Sequence, residues 1–335
     1  MTFDRAMTPM EKYLLAIIGI YIVVVSLKNP QFFSLETLFD MIRNGSGIMI
    51  LALGILVVLL SGGIDVSFTA IAIVAGYTAV QLSKMLAIDN LVFLLLVAMV
   101  IGAALGSINA LLIHFFKLPT LIVTLGTASV FHGLMAMVLG TKTYTEIGVP
   151  KSMLDFGSAS LVTLKGTRAE YSLTVFFVIV LACIALTWFL LYRTMLGRSV
   201  FAVGSNPESA SRIGINIFGT KLFVYSYSGL LSGLMGIIYF SGLAYINPVS
   251  LIGTELTVIA GVVIGGAKLT GGEGTIFGVV LGIALVQLFQ STLVFLGLGA
   301  SQNGLFFGTV LLLSLSFMYY RQRQLNKRSL VFSSN

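Results

Sequence analysis

Two polar clusters stand out in this chain because the residues around them are apolar. Ser61 to Ser67 reads SGGIDVS, directly after a hydrophobic run that ends at Leu60. Asp65 is costly anywhere near hydrocarbon, and the two glycines before it permit an irregular turn, which at membrane depth is tolerated only where protein or water covers the backbone. That chemistry suits a re-entrant or broken-helix element beside a translocation path. The same residues also suit an ordinary turn in which Asp65 caps a helix beginning near Phe68. Further on, Thr120, Thr124 and Thr127 fall at i, i+4 and i+7, so three hydroxyls share one helix face, with Phe131 one turn beyond. Hydroxyls beside an aromatic face suit a polyhydroxylated solute, which needs many neutral hydrogen bonds and little charge. Threonines in membrane helices also bond the carbonyl of their own preceding turn, which is the plainer use.

Asn109 and Gln287 place amides inside other apolar runs, alongside Ser107, Tyr225, Ser228 and Ser232. Singly, such groups serve as interhelical hydrogen bonds; together they are uncharged, unlike the paired acids, bases or histidines that drive ion-coupled carriers. His132 adjoins the threonine face alone, and His114 reads as a helix contact. There is no His-Glu metal spacing, no pair of carboxylates at catalytic spacing and no serine elbow. Gly261 to Thr275 reads GVVIGGAKLTGGEGT, which lacks the GxxxxGK[ST] of a phosphate loop and fits close helix packing followed by a tight turn, with Lys268 and Glu273 at a membrane surface. The chain is therefore expected to bind no cofactor or metal of its own. Cys183, the single cysteine, lies within an apolar run and offers neither a disulfide nor a thiolate site.

The elements that must hold these residues are membrane helices. The chain is 57% hydrophobic and 9% charged, with a mean hydropathy of +1.04, against about 25% charged in soluble domains. Apolar runs near the length of a bilayer-spanning helix recur throughout, at roughly 13–28, 46–60, 68–87, 91–116, 120–139, 172–192, 222–241, 256–269, 275–297 and 304–320. These predict an all-α polytopic bundle of about ten transmembrane helices, a single transmembrane domain over 1–335, rather than a barrel of short alternating strands. The first run has no small-residue cleavage site after it and reads as a retained signal anchor. The net charge of +7 is spread singly over helix ends, which opposes nucleic-acid binding. With both termini in the cytoplasm, about twelve basic residues fall inside and about seven outside; the loop 140–171, with four of the latter, is then periplasmic. GAALG at 102–106 and GVVLG at 278–282 each lie near the start of a long helix that would be the fourth span of a five-span half, the mark of an inverted five-plus-five repeat or simply of two glycine packing faces.

The loop 193–221 is basic and holds one predicted surface helix. Asn206 supplies an N-cap, Pro207 a preset φ at the first helical position, Glu208 an acid near the positive helix end, and Gly214 a left-handed stop after Ser209, Ala210, Arg212 and Ile213. Two turns do not persist alone, so the expected use is to sit in a groove on a cytoplasmic partner.

SGGIDVS at 61–67, KLPTLIVTLGT at 117–127, GRSVFAVGSNPESASRIGI at 197–215 and ELTVIAGVVIGGAKLTGGEGT at 255–275, in that order, resemble the permease subunits of bacterial ABC importers for ribose, galactose, xylose and autoinducer-2. The resemblance covers nearly the whole chain. It implies an inner-membrane subunit, paired with a second permease, identical or homologous, driven by cytoplasmic ATPase domains that bind ATP and Mg, and supplied by a periplasmic sugar-binding protein. It implies that the helix from Asn206 to Gly214 is the coupling helix, with Ala210 and Ile213 as exposed apolar contacts and Glu208 paired with Arg212, and that the path runs near Asp65, Asn109, Thr120, Thr124, Thr127, Phe131 and Gln287. The family commonly has a glycine after SGGID-x-S where this chain has Phe68 and Thr69, which implies a less kinked helix start and a non-identical partner permease. An ion-coupled sugar carrier and a nucleoside permease of similar architecture are the alternatives.

Overall fold

A computed structural model describes residues 7–165 and 170–292, together with the isolated helical positions 305, 308, 309, 312, 316 and 320. Helix α1, Pro9–Lys28, starts at a capping box in which Thr8 and Glu11 bond each other's backbone. It is followed by α2, Leu35–Leu60; α3, Phe68–Met85; α4, Leu91–Phe116; and α5, Thr120–Leu139. A short helix α6, Lys151–Ser158, and a hairpin of β1, Ser160–Lys165, and β2, Glu170–Thr174, precede α7, Phe176–Arg193. Then come α8, Met195–Ser205; α9, Pro207–Arg212; α10, Ile217–Leu243; α11, Glu255–Ile264; and α12, Ile276–Thr292. Seven of the described helices, α1 to α5, α7 and α10, are long and apolar enough to cross a bilayer. The protein is an all-α membrane bundle, with one small hairpin at the end of the bundle where α2 begins.

Several expected boundaries move. The second span starts at Leu35 rather than 46, because Ser34 caps a helix that runs through the polar stretch Asp40 to Asn44. The sixth starts at Phe176, since 170–174 pairs as a strand with β1. The eighth, expected over 256–269, ends at Ile264, and its ten residues reach about 15 Å at about 1.5 Å per residue, half of a bilayer core. Gly265 stops it: Gly266 follows at φ +93°, and the backbone turns back so that Lys268 N–H donates to the Glu273 carbonyl at 3.0 Å. The ninth begins at Ile276, and its last expected residues, from 293, lie outside the described residues. The same is true of most of the tenth, 304–320.

Helix α10 is the hub, packed against α4, α3 and α2. It comes this close because glycines face each other. A Cβ at Gly102 of α4 would overlap the Gly229 carbonyl oxygen of α10, and one at Gly236 of α10 would overlap the Ala72 carbonyl of α3. Without side chains between them the backbones make extended van der Waals contact, which drives association where lipid removes the hydrophobic incentive. The GVVLG pair behaves alike, Gly278 and Gly282 lying on Gly265 and Gly261 of α11. Both glycine pairs are thus packing faces. A second likeness between the halves is architectural: α2, a break, then α3; α10, a break over 244–254, then α11.

At the hairpin end, Asp89 accepts from the backbone N–H of Lys151 at 2.9 Å and of Ser152 at 3.1 Å, and from the Ser152 hydroxyl, capping α6 from a distant loop. The Ser152 hydrogen bonds hold its carboxyl below the usual carboxylate range. The glycine packing is testable on the isolated chain: Gly102→Val is expected to destabilise it by about 1–3 kcal/mol or more through overpacking, seen as a lower Tm in detergent. Gly126→Val, whose Cβ would enter open space, should leave Tm unchanged.

Candidate functional site

Helix α2 is C-capped by Ser61, whose hydroxyl donates to the Val58 carbonyl at 2.7 Å. Gly62 takes φ +77°, and a Cβ at Gly63 would lie 2.5 Å from the Tyr225 hydroxyl of α10. From there to Ser67 the chain is neither helix nor strand, yet it is largely buried. Its backbone groups need partners, because a buried unpaired N–H costs about 1–3 kcal/mol. Helix α5 supplies them. Thr120 Oγ1 accepts from Ile64 N–H at 2.9 Å, and Thr124 Oγ1 accepts from Val66 N–H at 3.3 Å. The geometry is commensurate: four helical residues rise about 6 Å, and two extended residues rise about 6.6 Å. Hydroxyls at i and i+4 of a helix therefore meet alternate amides of an extended chain.

Asp65, 1% exposed, is held between them. Its Oδ1 accepts from Ser67 N–H at 2.7 Å and Ser67 Oγ at 2.6 Å, and Asn109 Nδ2 of α4 donates to the same Ser67 Oγ at 2.7 Å. Asp65 forms no ion pair with any described residue. Asp65 does not cap α3, contrary to the helix-capping expectation. The N-cap of α3 is Ser67, with no side-chain cap bond, and Asp65 instead turns the chain two residues ahead of it. What the sequence left open between a capped turn and a broken element resolves as a buried break.

Of the other expected path residues, Thr127 bonds the Thr124 carbonyl at 3.2 Å, and Phe131 is buried in the cluster around Tyr77 and Phe240. Gln287 does not join the group. Its side chain lies against Gly45 and donates to Ser291 at 3.3 Å, and Gly45 stands fifteen residues before Leu60 on α2, about 22 Å along the helix.

The same break touches the loop 193–221. That loop holds two helices rather than one, and Lys221 already belongs to α10. In the last turn of α8 lies Gly204, where a Cβ would overlap the Leu60 carbonyl. Gly272 N–H donates to that Leu60 carbonyl at 3.0 Å, and a Cβ at Gly271 would sit 2.7 Å from both the Gly204 oxygen and the Gly62 Cα. Three motifs far apart in sequence, at 61–67, 197–215 and 261–275, thus meet backbone to backbone.

Helix α9 follows directly and matches the expectation. Asn206 Oδ1 accepts from Ser209 N–H at 2.9 Å, Pro207 opens the helix, Glu208 pairs with Arg212 at 2.7 Å, and Gly214 takes φ +84°. Ala210 is the exception. It is buried, not exposed, because the chain folds back to bond Ile215 N–H to the Ala210 carbonyl at 3.1 Å; Ile213 is 75% exposed. The sequence reading gave no role to Glu255 or Thr69, whose side chains bond at 2.6 Å. An acid opening a short apolar helix was the available signal.

A family model described as branched-chain amino acid transport system / permease component matches residues 37–315. The ribose import permease protein RbsC of Haemophilus influenzae is 32% identical over 275 residues, 82% of each chain. The autoinducer 2 import system permease protein LsrC of Yersinia pseudotuberculosis is 33% identical over 306 residues, 91% of this chain and 83% of the relative; that of Yersinia pestis aligns to the same extent. No solved structure matches the chain significantly.

The hydroxyl ladder yields a prediction. Thr124→Val keeps the shape and strands the Val66 amide, so it should cost about 1–3 kcal/mol and lower the Tm in detergent, while Thr124→Ser, which keeps the acceptor, should restore most of it. Equal Tm values for the two variants would mean that the hydroxyl does not support the break.

Proposed function

We propose that this chain, which belongs to the branched-chain amino acid transport system permease component family, is a transmembrane permease subunit of an ATP-binding-cassette importer for a monosaccharide or sugar-like solute. The observation that carries the proposal is helix α9: capped, solvent-exposed, tipped by Ile213, and joined through Gly204 to the break that carries Asp65. Relatives named for ribose and autoinducer 2 import support the solute class.

In this reading α9 is the coupling helix. The α8–α9 end faces the cytoplasm of a bacterium, the hairpin end faces the periplasm, both termini are cytoplasmic, and the bundle sits in the inner membrane. A separate ATPase, binding ATP and Mg, presses on α9; a periplasmic binding protein delivers the solute; and a second permease, identical or homologous, completes the path. The chain itself performs no hydrolysis. Movement of α9 reaches the break through α8, and rocking of rigid helices about that break opens the path alternately to each side.

Selectivity rests mainly with the binding protein, so weak polar contacts suffice along the path. Proteoliposomes test this. The chain reconstituted with its ATPase and binding protein should accumulate D-ribose only when ATP is supplied on the ATPase side, and Ile213→Asp should lower that uptake at least about tenfold, a loss of about 1.4 kcal/mol in coupling, with unchanged yield of folded permease. Accumulation by the chain alone on an imposed proton or sodium gradient would make it a secondary carrier instead.

A further inference from the structure

The two breaks in the bundle converge on one contact. Thr69 is the second residue of α3, Glu255 is the first of α11, and the Thr69 hydroxyl donates to Glu255 Oε1 at 2.6 Å across 186 positions of sequence. Thr69 is 2% exposed, whereas Glu255 is half-buried, and beside it Leu256 is 74% and Ile252 64% exposed. His132 of α5 lies within electrostatic reach of Glu255.

An acid inside a membrane bundle is expensive unless water or protein covers it, so the flank onto which Glu255 opens is not lipid-facing in the working protein. The carboxylate has two acceptor oxygens. Oε1 accepts the hydrogen bond of the Thr69 hydroxyl, while Oε2 accepts none from any described residue. The buried threonine thus fixes one carboxylate oxygen and leaves the second without a partner among the described residues, on a half-buried side chain. A carboxylate oxygen held in place is a strong acceptor for hydroxyl donors and a poor neighbour for another carboxylate.

Resting on the permease reading above, we infer that Glu255 is a solute-contacting residue of the path, accepting hydroxyl protons of a neutral polyhydroxylated solute and excluding anionic ones, with Thr69 as its positioning residue. The permease then filters solutes by charge, separately from the selection made by the binding protein.

Binding to the assembled importer in lipid nanodiscs, read by saturation-transfer NMR with D-ribose and D-glucuronate as probes, tests this. The wild type should favour ribose over glucuronate. Glu255→Gln should weaken ribose binding about tenfold and narrow its preference over glucuronate; Thr69→Val should weaken ribose binding by a smaller factor, with gel-filtration profiles unchanged. Should Glu255→Gln fail to assemble, Glu255→Asp, which draws the carboxylate back by one methylene, should show the same direction. Ribose binding within twofold of wild type in the variants, or equal binding of both probes to the wild type, overturns the inference. Failure of the permease reading shows elsewhere, as absence of ATP-driven uptake by the wild type.

Discussion

A stretch of non-helical backbone inside a membrane bundle must find a partner for every amide and carbonyl it exposes, because neither lipid nor water will supply one. In this protein that constraint falls on residues 61–67, and the two threonines of α5 answer it. With Ile64 and Val66 held, the chain between them presents Asp65 to Ser67, Ser67 to Asn109, and the start of α3 to α11. Remove the hydroxyls and the break has no reason to keep this shape. The polar chemistry around Asp65 is therefore a consequence of backbone bookkeeping, with the hydroxyls serving as structure first.

The glycines are the other half of the arrangement. Gly204, Gly271 and Gly62 let three segments touch through their backbones, with no side chain between them to yield. Packed backbone transmits displacement instead of absorbing it. Only Asn206 separates Ser205, the last residue of α8, from Pro207, the first of α9, so α9 is joined by a short stretch of chain to Gly204, which packs on the Leu60 carbonyl. Across the bundle, α10 carries the same principle on a larger scale, packing against α3 and α4 through close glycine contacts.

Local chemistry was legible in the sequence and distant pairing was not. The cap, proline, ion pair and glycine stop of α9 lie within nine residues, and each was read correctly. The burial of Ala210 was missed because it depends on the chain folding back at Ile215. Among the described residues, seven long apolar runs are helices that can span a bilayer, but the run containing α11 is not: GVVIGGAKL is apolar enough to pass for a span, while its paired glycines end the helix at Ile264. The threonine stripe was recognised as a face, but its partners stand 56 and 58 residues away. Nothing within one helix tells whether a hydroxyl serves a solute, its own preceding turn or another segment's amide. Glu255 was passed over for the same reason.

The central claim is that α9, the proposed docking surface for an ATPase, and the break that carries Asp65 are mechanically one unit. Hydrogen exchange of the assembled importer, with and without a non-hydrolysable ATP analogue, addresses it most directly. Nucleotide binding to the ATPase should change exchange both in α9 and at the Ile64 and Val66 amides, and Thr124→Val should abolish the second change while leaving the first. A change confined to α9, with residues 61–67 unaffected in the unmodified protein, would contradict the account.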